Sequence, residues 1–148
     1  MVGRICASIL LAILPVLQSA PPQNGDDQVQ PPRLIRAEVP FYPPLAWTAN
    51  ITGEVVVRIT VEQDSVKDAV IVSSDSPALS DATIATIQTW KFRPDERNQV
   101  SFVSRFEYTI EGEVTDTPET PRVQLELPRF VRVIARPFKP TCSGCRVE

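Results

Sequence analysis

From Gly53 to Glu62 the chain alternates residue by residue. Val55, Val57, Ile59 and Val61 fall on one face, and Glu54, Val56, Arg58, Thr60 and Glu62 fall on the other. A period of two predicts a strand with one buried face. Gln63-Asp64-Ser65 then supplies a tight connection, and Val66 to Ser74, with Val66, Ala69, Ile71 and Val72, predicts a second strand that closes a hairpin. The period next changes. Ser76 is placed to cap a helix and Pro77 to occupy its first position, while Leu79, Thr83, Ile84, Ile87 and Trp90 recur at helical spacing. Ala82 and Ala85 allow that helix to approach a sheet closely, and Arg93-Pro94 ends it. After a polar turn from Asp95 to Asn98 the period of two returns over Val100 to Ile110. Phe102, Ser104, Phe106, Tyr108 and Ile110 share one face of this long third strand. Upstream, Pro43 and Pro44 can open a short helix over Leu45 to Asn50.

The order helix, strand, strand, helix, strand predicts an α+β fold with two layers: an antiparallel three-stranded sheet covered on one side by helices, within residues 37–113. Residues 114–148 form a C-terminal extension. A turn-rich linker, Thr115 to Pro121, leads into Arg122 to Arg136. There Val123, Leu125 and Leu127 alternate, followed after Pro128 by Val131, Val133 and Ala135. This reads as an added strand, broken or bulged at Pro128. It can pair with the third strand of its own chain or with a second copy in a homodimer, and the pattern leaves both open.

The first 20 residues have the layout of a secretory signal peptide: Arg4, an apolar run from Ile5, then Ser19 and Ala20. An uncleaved inner-membrane anchor is the rival reading, but Ile5 to Leu17 is short for a span of about 20 apolar residues and contains Pro15. Residues 21–36 read as a proline-rich spacer, of which residues 21–33 are too poor in apolar side chains to order themselves. The chain of 148 residues carries 15 basic and 18 acidic side chains, and no basic cluster stands out. That balance argues against a nucleic-acid partner, whose phosphates require clustered Lys and Arg.

Several spaced residues belong together. Tyr42-Pro43 and Ala46, then Gly53-Glu54-Val55-Val56-Val57, Ser73-Ser74, Ala82, and Trp90-Lys91-Phe92-Arg93-Pro94 occur in an order that resembles the C-terminal domain of TonB, the periplasmic protein that couples inner-membrane energy to outer-membrane receptors. The resemblance covers about half of the chain and implies a periplasmic location and a non-catalytic role in envelope transport. It further implies that an extended peptide of an outer-membrane TonB-dependent receptor, or of another envelope protein, adds as a strand beside the last strand of the domain. Carried onto this chain, the peptide-binding residues are Trp47 and Thr48, with Val100, Phe102, Val103, Ser104, Phe106 and Tyr108 along the third strand. Two departures stand out. The family's Asp-Gly hairpin is replaced here by Asp64-Ser65, which implies a different turn. Energy-transducing TonB also uses a histidine-bearing membrane helix, whereas this chain has no histidine, so direct coupling to the proton motive force is not expected. The alternative is a structural or self-associating envelope protein, its sheet edge covered by its own C-terminal strand or by a twin.

Without histidine, a Ser-His or Cys-His nucleophile is excluded, and the acidic side chains read as surface charges, so no enzyme activity is expected. Cys142 and Cys145, in Cys142-Ser143-Gly144-Cys145, can oxidise to a small disulfide in an exported protein; a redox-active pair is the sharper alternative. Zinc would need two further ligands, and no cofactor is expected.

Overall fold

A computed structural model describes residues 29–139. The signal-type leader, the first part of the spacer and the Cys142–Cys145 pair lie outside the described residues. The elements in chain order are β1 (Leu34–Arg36), α1 (Pro44–Thr48), β2 (Gly53–Glu62), β3 (Ser65–Ser74), α2 (Pro77–Ile87), β4 (Lys91–Phe92), β5 (Gln99–Ile110), β6 (Arg122–Glu126) and β7 (Phe130–Ala135).

The α+β class stands, but the sheet is not the three-stranded antiparallel one that the pattern predicts. It has seven strands in the order β1-β4-β3-β2-β5-β7-β6, and it is mixed because β7 runs parallel to β5. The three expected strands, β2, β3 and β5, form its centre. Two- and three-residue strands such as β4 and β1 have no periodicity to detect, since a period of two needs at least four residues to declare itself. β1 also begins within the last residues assigned to the spacer, where Leu34 pairs with Phe92.

β2 is the most regular strand, with Val55, Val57, Ile59 and Val61 facing the core as the alternation demands. β3 is less clean for a physical reason. Its register against β2 shifts twice, between Val56 and Val57 and between Thr60 and Val61, leaving Lys67 and Val72 without a Cα partner on β2. Each such bulge moves the apolar period by one residue, so Val66, Ala69 and Ile71 pack on the core while Val72 is exposed. The connecting turn is Gln63–Asp64, with Gln63 at a positive φ of 57°.

α2 covers the sheet through Leu79, Thr83, Thr86 and Ile87, but three details depart from expectation. Ser76 stands at the N-cap without a capping bond from its side chain; the Ser74 hydroxyl accepts from the Ser76 N–H at 3.2 Å instead. Ala85 faces solvent rather than the sheet. The helix stops at Ile87, before Trp90 and well before Pro94, because the chain turns at Gln88–Thr89, where the Trp90 N–H donates to the Ile87 carbonyl at 3.0 Å, and Lys91–Phe92 is extended as β4. α1 is also a shorter stretch than Leu45 to Asn50 and starts one residue earlier.

One core joins both helices to the sheet. Trp90, Phe92, Phe102, Phe106 and Tyr108 are its largest members, and Trp90 lies 5.9 Å from Phe106 between ring centroids. The C-terminal extension belongs to the same core, since Val131, Val133 and Ala135 of β7 are fully buried in it. Gly53 opens β2 at φ 151°, and a Cβ there would stand 2.6 Å from the Asp75 Cβ. Asp75 holds this approach by accepting the Glu54 N–H at 2.7 Å.

Three substitutions check these assignments by denaturant unfolding. Val133→Ala should cost about 2–3 kcal/mol, as expected of a core side chain, whereas Val123→Ala on exposed β6 should stay within about 0.5 kcal/mol. Gly53→Ala should cost about 2–3 kcal/mol through its positive φ and its collision with Asp75.

Candidate functional site

β5 carries most of the residues that the sequence assigns to peptide binding, and its two sides are filled differently. Towards β2 it is paired along its length, from Gln99↔Glu62 to Tyr108↔Gly53. On the other side β7 pairs with it only from Arg105↔Phe130 to Ile110↔Ala135. The β6–β7 turn ends this contact: the Arg105 N–H donates to the Arg129 carbonyl at 2.7 Å, and the Ser104 hydroxyl donates to the Pro128 carbonyl. Among the described residues no strand lies beside Gln99–Val103 on that side.

The side chains divide accordingly. Val100, Phe102, Phe106 and Tyr108 are buried on the helix-covered face and Ser104 is buried beside the turn, so a ligand strand would meet their backbone rather than their rings. Val103 is half-buried on the opposite face. Trp47 is brought not to the unpaired half of β5 but to the far end of β7. Its indole N–H donates to the Arg136 carbonyl at 2.5 Å, and its ring meets Phe138 edge-on at 5.6 Å. Thr48 is exposed, and its hydroxyl bonds back to Pro44 and Leu45 within α1.

The C-terminal extension therefore touches both places that the resemblance assigns to a receptor peptide, β7 on the upper half of β5 and Arg136 and Phe138 on Trp47. Arg136 and Phe138 carry no signal in the sequence. One is used through its carbonyl, and the other is a lone aromatic in a proline-flanked tail.

Tyr42 and Tyr108 hold this end of the domain together. The Tyr42 hydroxyl donates to the Ile51 carbonyl at 2.6 Å, which ties α1 to the start of β2, and its ring stands edge-on to Tyr108 at 5.5 Å. The Tyr108 hydroxyl shares a 2.7 Å hydrogen bond with Thr83 of α2. Burial pushes both phenols up to about 12; for Tyr42 the neighbouring Tyr108 adds to the effect, and for Tyr108 the bond to Thr83 partly opposes it.

The opposite face of the sheet carries charge. Arg105 lies 3.5 Å from Glu54, and Arg132 lies 3.4 Å from Glu107 and 3.1 Å from Glu111. These pairs are partly solvated and of small energetic weight. A shallow depression of about 300 Å³ lined by Thr52, Gly53, Glu54, Asp75, Glu107, Tyr108 and Thr109 lies at the end of β2 and β5. Among the described residues no group of three His, Cys, Asp or Glu side chains is placed to hold a metal ion, and no helix is long and apolar enough to cross a membrane.

Residues 38–110 match the family model described as Gram-negative bacterial TonB protein C-terminal. No curated protein matches the chain.

The two phenols set a pH dependence. Their folded pKa is raised from the ordinary value of 10.0 to about 12, so the unfolded chain loses these protons first. Their contribution to stability is full below about pH 10 and is lost as pH rises towards about 12. The chain has only two tyrosines, so tyrosinate absorbance should stay low through pH 10 and rise together with the loss of folded structure.

Proposed function

We propose, from the premise that residues 38–110 are a TonB C-terminal family domain, that the chain is an exported interaction module that receives an extended peptide by strand addition on the unpaired half of β5. The family is one of non-catalytic interaction domains that act in the periplasm with outer-membrane receptors. The peptide would come from such a receptor or from another envelope protein. The observation that carries the reading is the incomplete pairing of β5, whose Gln99–Val103 has β2 on one side and no strand on the other among the described residues. A row of unpaired N–H and C=O groups is a template for one more strand.

Landing on Gln99–Val103 is favoured over displacing β7. Removing β7 would expose Val131, Val133 and Ala135, at about 1.5–3 kcal/mol for each valine. A short peptide of modest affinity does not offset that together with its own ordering. The peptide would then lie at the foot of β5, beside the β6–β7 turn and away from Trp47 and Thr48.

One observation favours a second reading. β7 already lies along Arg105–Ile110, and the Arg136 carbonyl already accepts from Trp47, so the domain can be a structural envelope element sealed by its own extension.

Amide exchange with a synthetic receptor-box peptide separates the two. Strand addition predicts slowed exchange within Gln99–Val103 on peptide addition, with Arg105–Ile110 unchanged. Exchange unchanged throughout β5 at saturating peptide would defeat the first reading and leave the sealed one. Faster exchange in Phe130–Ala135 would mean that the peptide displaces β7 instead of landing at the foot of β5.

A further inference from the structure

β6 is the outermost strand of the sheet, and it lies beyond the residues that the family model matches. All five of its residues, Arg122-Val123-Gln124-Leu125-Glu126, are exposed, and among the described residues it has a neighbour only on its β7 side. Its register against β7 sets its faces. Val123 is opposite Val133 and Leu125 opposite Val131, so these two side chains stand on the face that forms the core. They nevertheless remain 39% and 46% exposed. Arg122, Gln124 and Glu126 occupy the other face.

The five residues are two-fold complementary. If a second β6 lies antiparallel beside the first with Gln124 opposite Gln124, Arg122 of each copy faces Glu126 of the other, and Val123 faces Leu125. We infer that this edge is the interface of a symmetric dimer, in which β6 of one chain pairs antiparallel with β6 of a second copy and joins the two sheets into one.

Three observations support the second copy as the occupant. Charge complementarity selects this arrangement: a parallel in-register pair would set Arg122 against Arg122 and Glu126 against Glu126, which is unfavourable for residues directly opposite. Arg122 and Glu126 have no ion-pair or side-chain hydrogen-bond partner among the described residues, whereas Arg105, Arg132 and Arg136 are each paired with a glutamate. Finally, Pro121 and Pro128 bracket the strand. Proline cannot donate to a ladder, so the prolines limit sliding and favour the centred register. The two apolar pairs then meet on the core side, where Val123 and Leu125 of both copies cover one another. The contact is isologous, as a closed dimer requires.

Charge reversal tests this on the full chain by sedimentation velocity over a concentration series. The wild type should show a reversible monomer–dimer equilibrium. Arg122→Glu and Glu126→Arg should each place two like-charged pairs in the interface and raise the dissociation constant about tenfold or more, with salt reducing the effect. The double variant should restore dimerisation to within about threefold of wild type, because the swapped charges again pair. Both positions are exposed and unpaired in the single chain, so circular dichroism, and the unfolding midpoint at dilutions where the wild type is monomeric, should not change. A wild type that remains monomeric at every concentration would overturn the proposal, as would a dimer indifferent to the single reversals.

Discussion

A β-strand has two hydrogen-bonding sides, and this molecule is organised by the way β5 fills its own. One side is given to β2 from Gln99 to Tyr108, which fixes the register of the central hairpin against the longest strand. The same register turns Phe102, Phe106 and Tyr108 onto α2 and Trp90, so the aromatic core and the pairing of β5 are one constraint seen from two directions. The other side is divided. Its upper half holds β7, and through β7 the whole C-terminal extension; its lower half has no strand beside it among the described residues. Were β5 shifted by one residue, its aromatic set would face solvent and β7 would have no apolar surface to join.

The motif residues that make the family recognisable are structural in this chain. Tyr42 pins α1 to Ile51 and stacks edge-on against Tyr108, Gly53 lets β2 start against Asp75, Ser74 serves the start of α2, and Trp90 and Phe92 fill the core. The candidate partner surfaces lie elsewhere, on sheet edges, and that of β5 carries no side-chain signature. A strand-addition surface is defined by what is not beside it. For that reason a domain of this type can be identified from its core while its partner stays unnamed.

The legible parts of the fold are those with enough residues to display a period. β2 and β5 can be read from alternation because one face of each is buried along its whole length, and most of the buried face of α2 follows from its helical spacing. Legibility ends where another force competes. Bulges at Lys67 and Val72 blur β3, and the turn at Gln88–Thr89 that leads into β4 cuts the helix short although Trp90 keeps helical spacing. β1 and β4 are too short to register. For the candidate site, the alternation of Val123 to Ala135 announces an added strand broken near Pro128, but not that the break is a turn and the two halves a hairpin, β6 and β7, with the second half parallel to β5. Parallel pairing depends on the path of the intervening chain, and no local pattern encodes it. Trp47 is conspicuous in the sequence, but its partners, a carbonyl and one aromatic ring, can be found only in three dimensions.

The strand that seals the upper half of β5 comes later in the chain than the strand that flanks it, because β7 is inserted between β5 and β6. This has a consequence for how the molecule is assembled. A chain that emerges from its N-terminus has β2, β3, α2 and β5 available to one another early, whereas β7 does not exist until residues 130–135 appear. Until then neither half of β5 has a strand on its β7 side, so Phe106 and Tyr108 lack the cover that Val131 and Val133 later give them. Completion of the last hairpin therefore closes the core and the upper half of β5 in one event, so that the final residues of the fold determine how much of its longest strand stays uncovered.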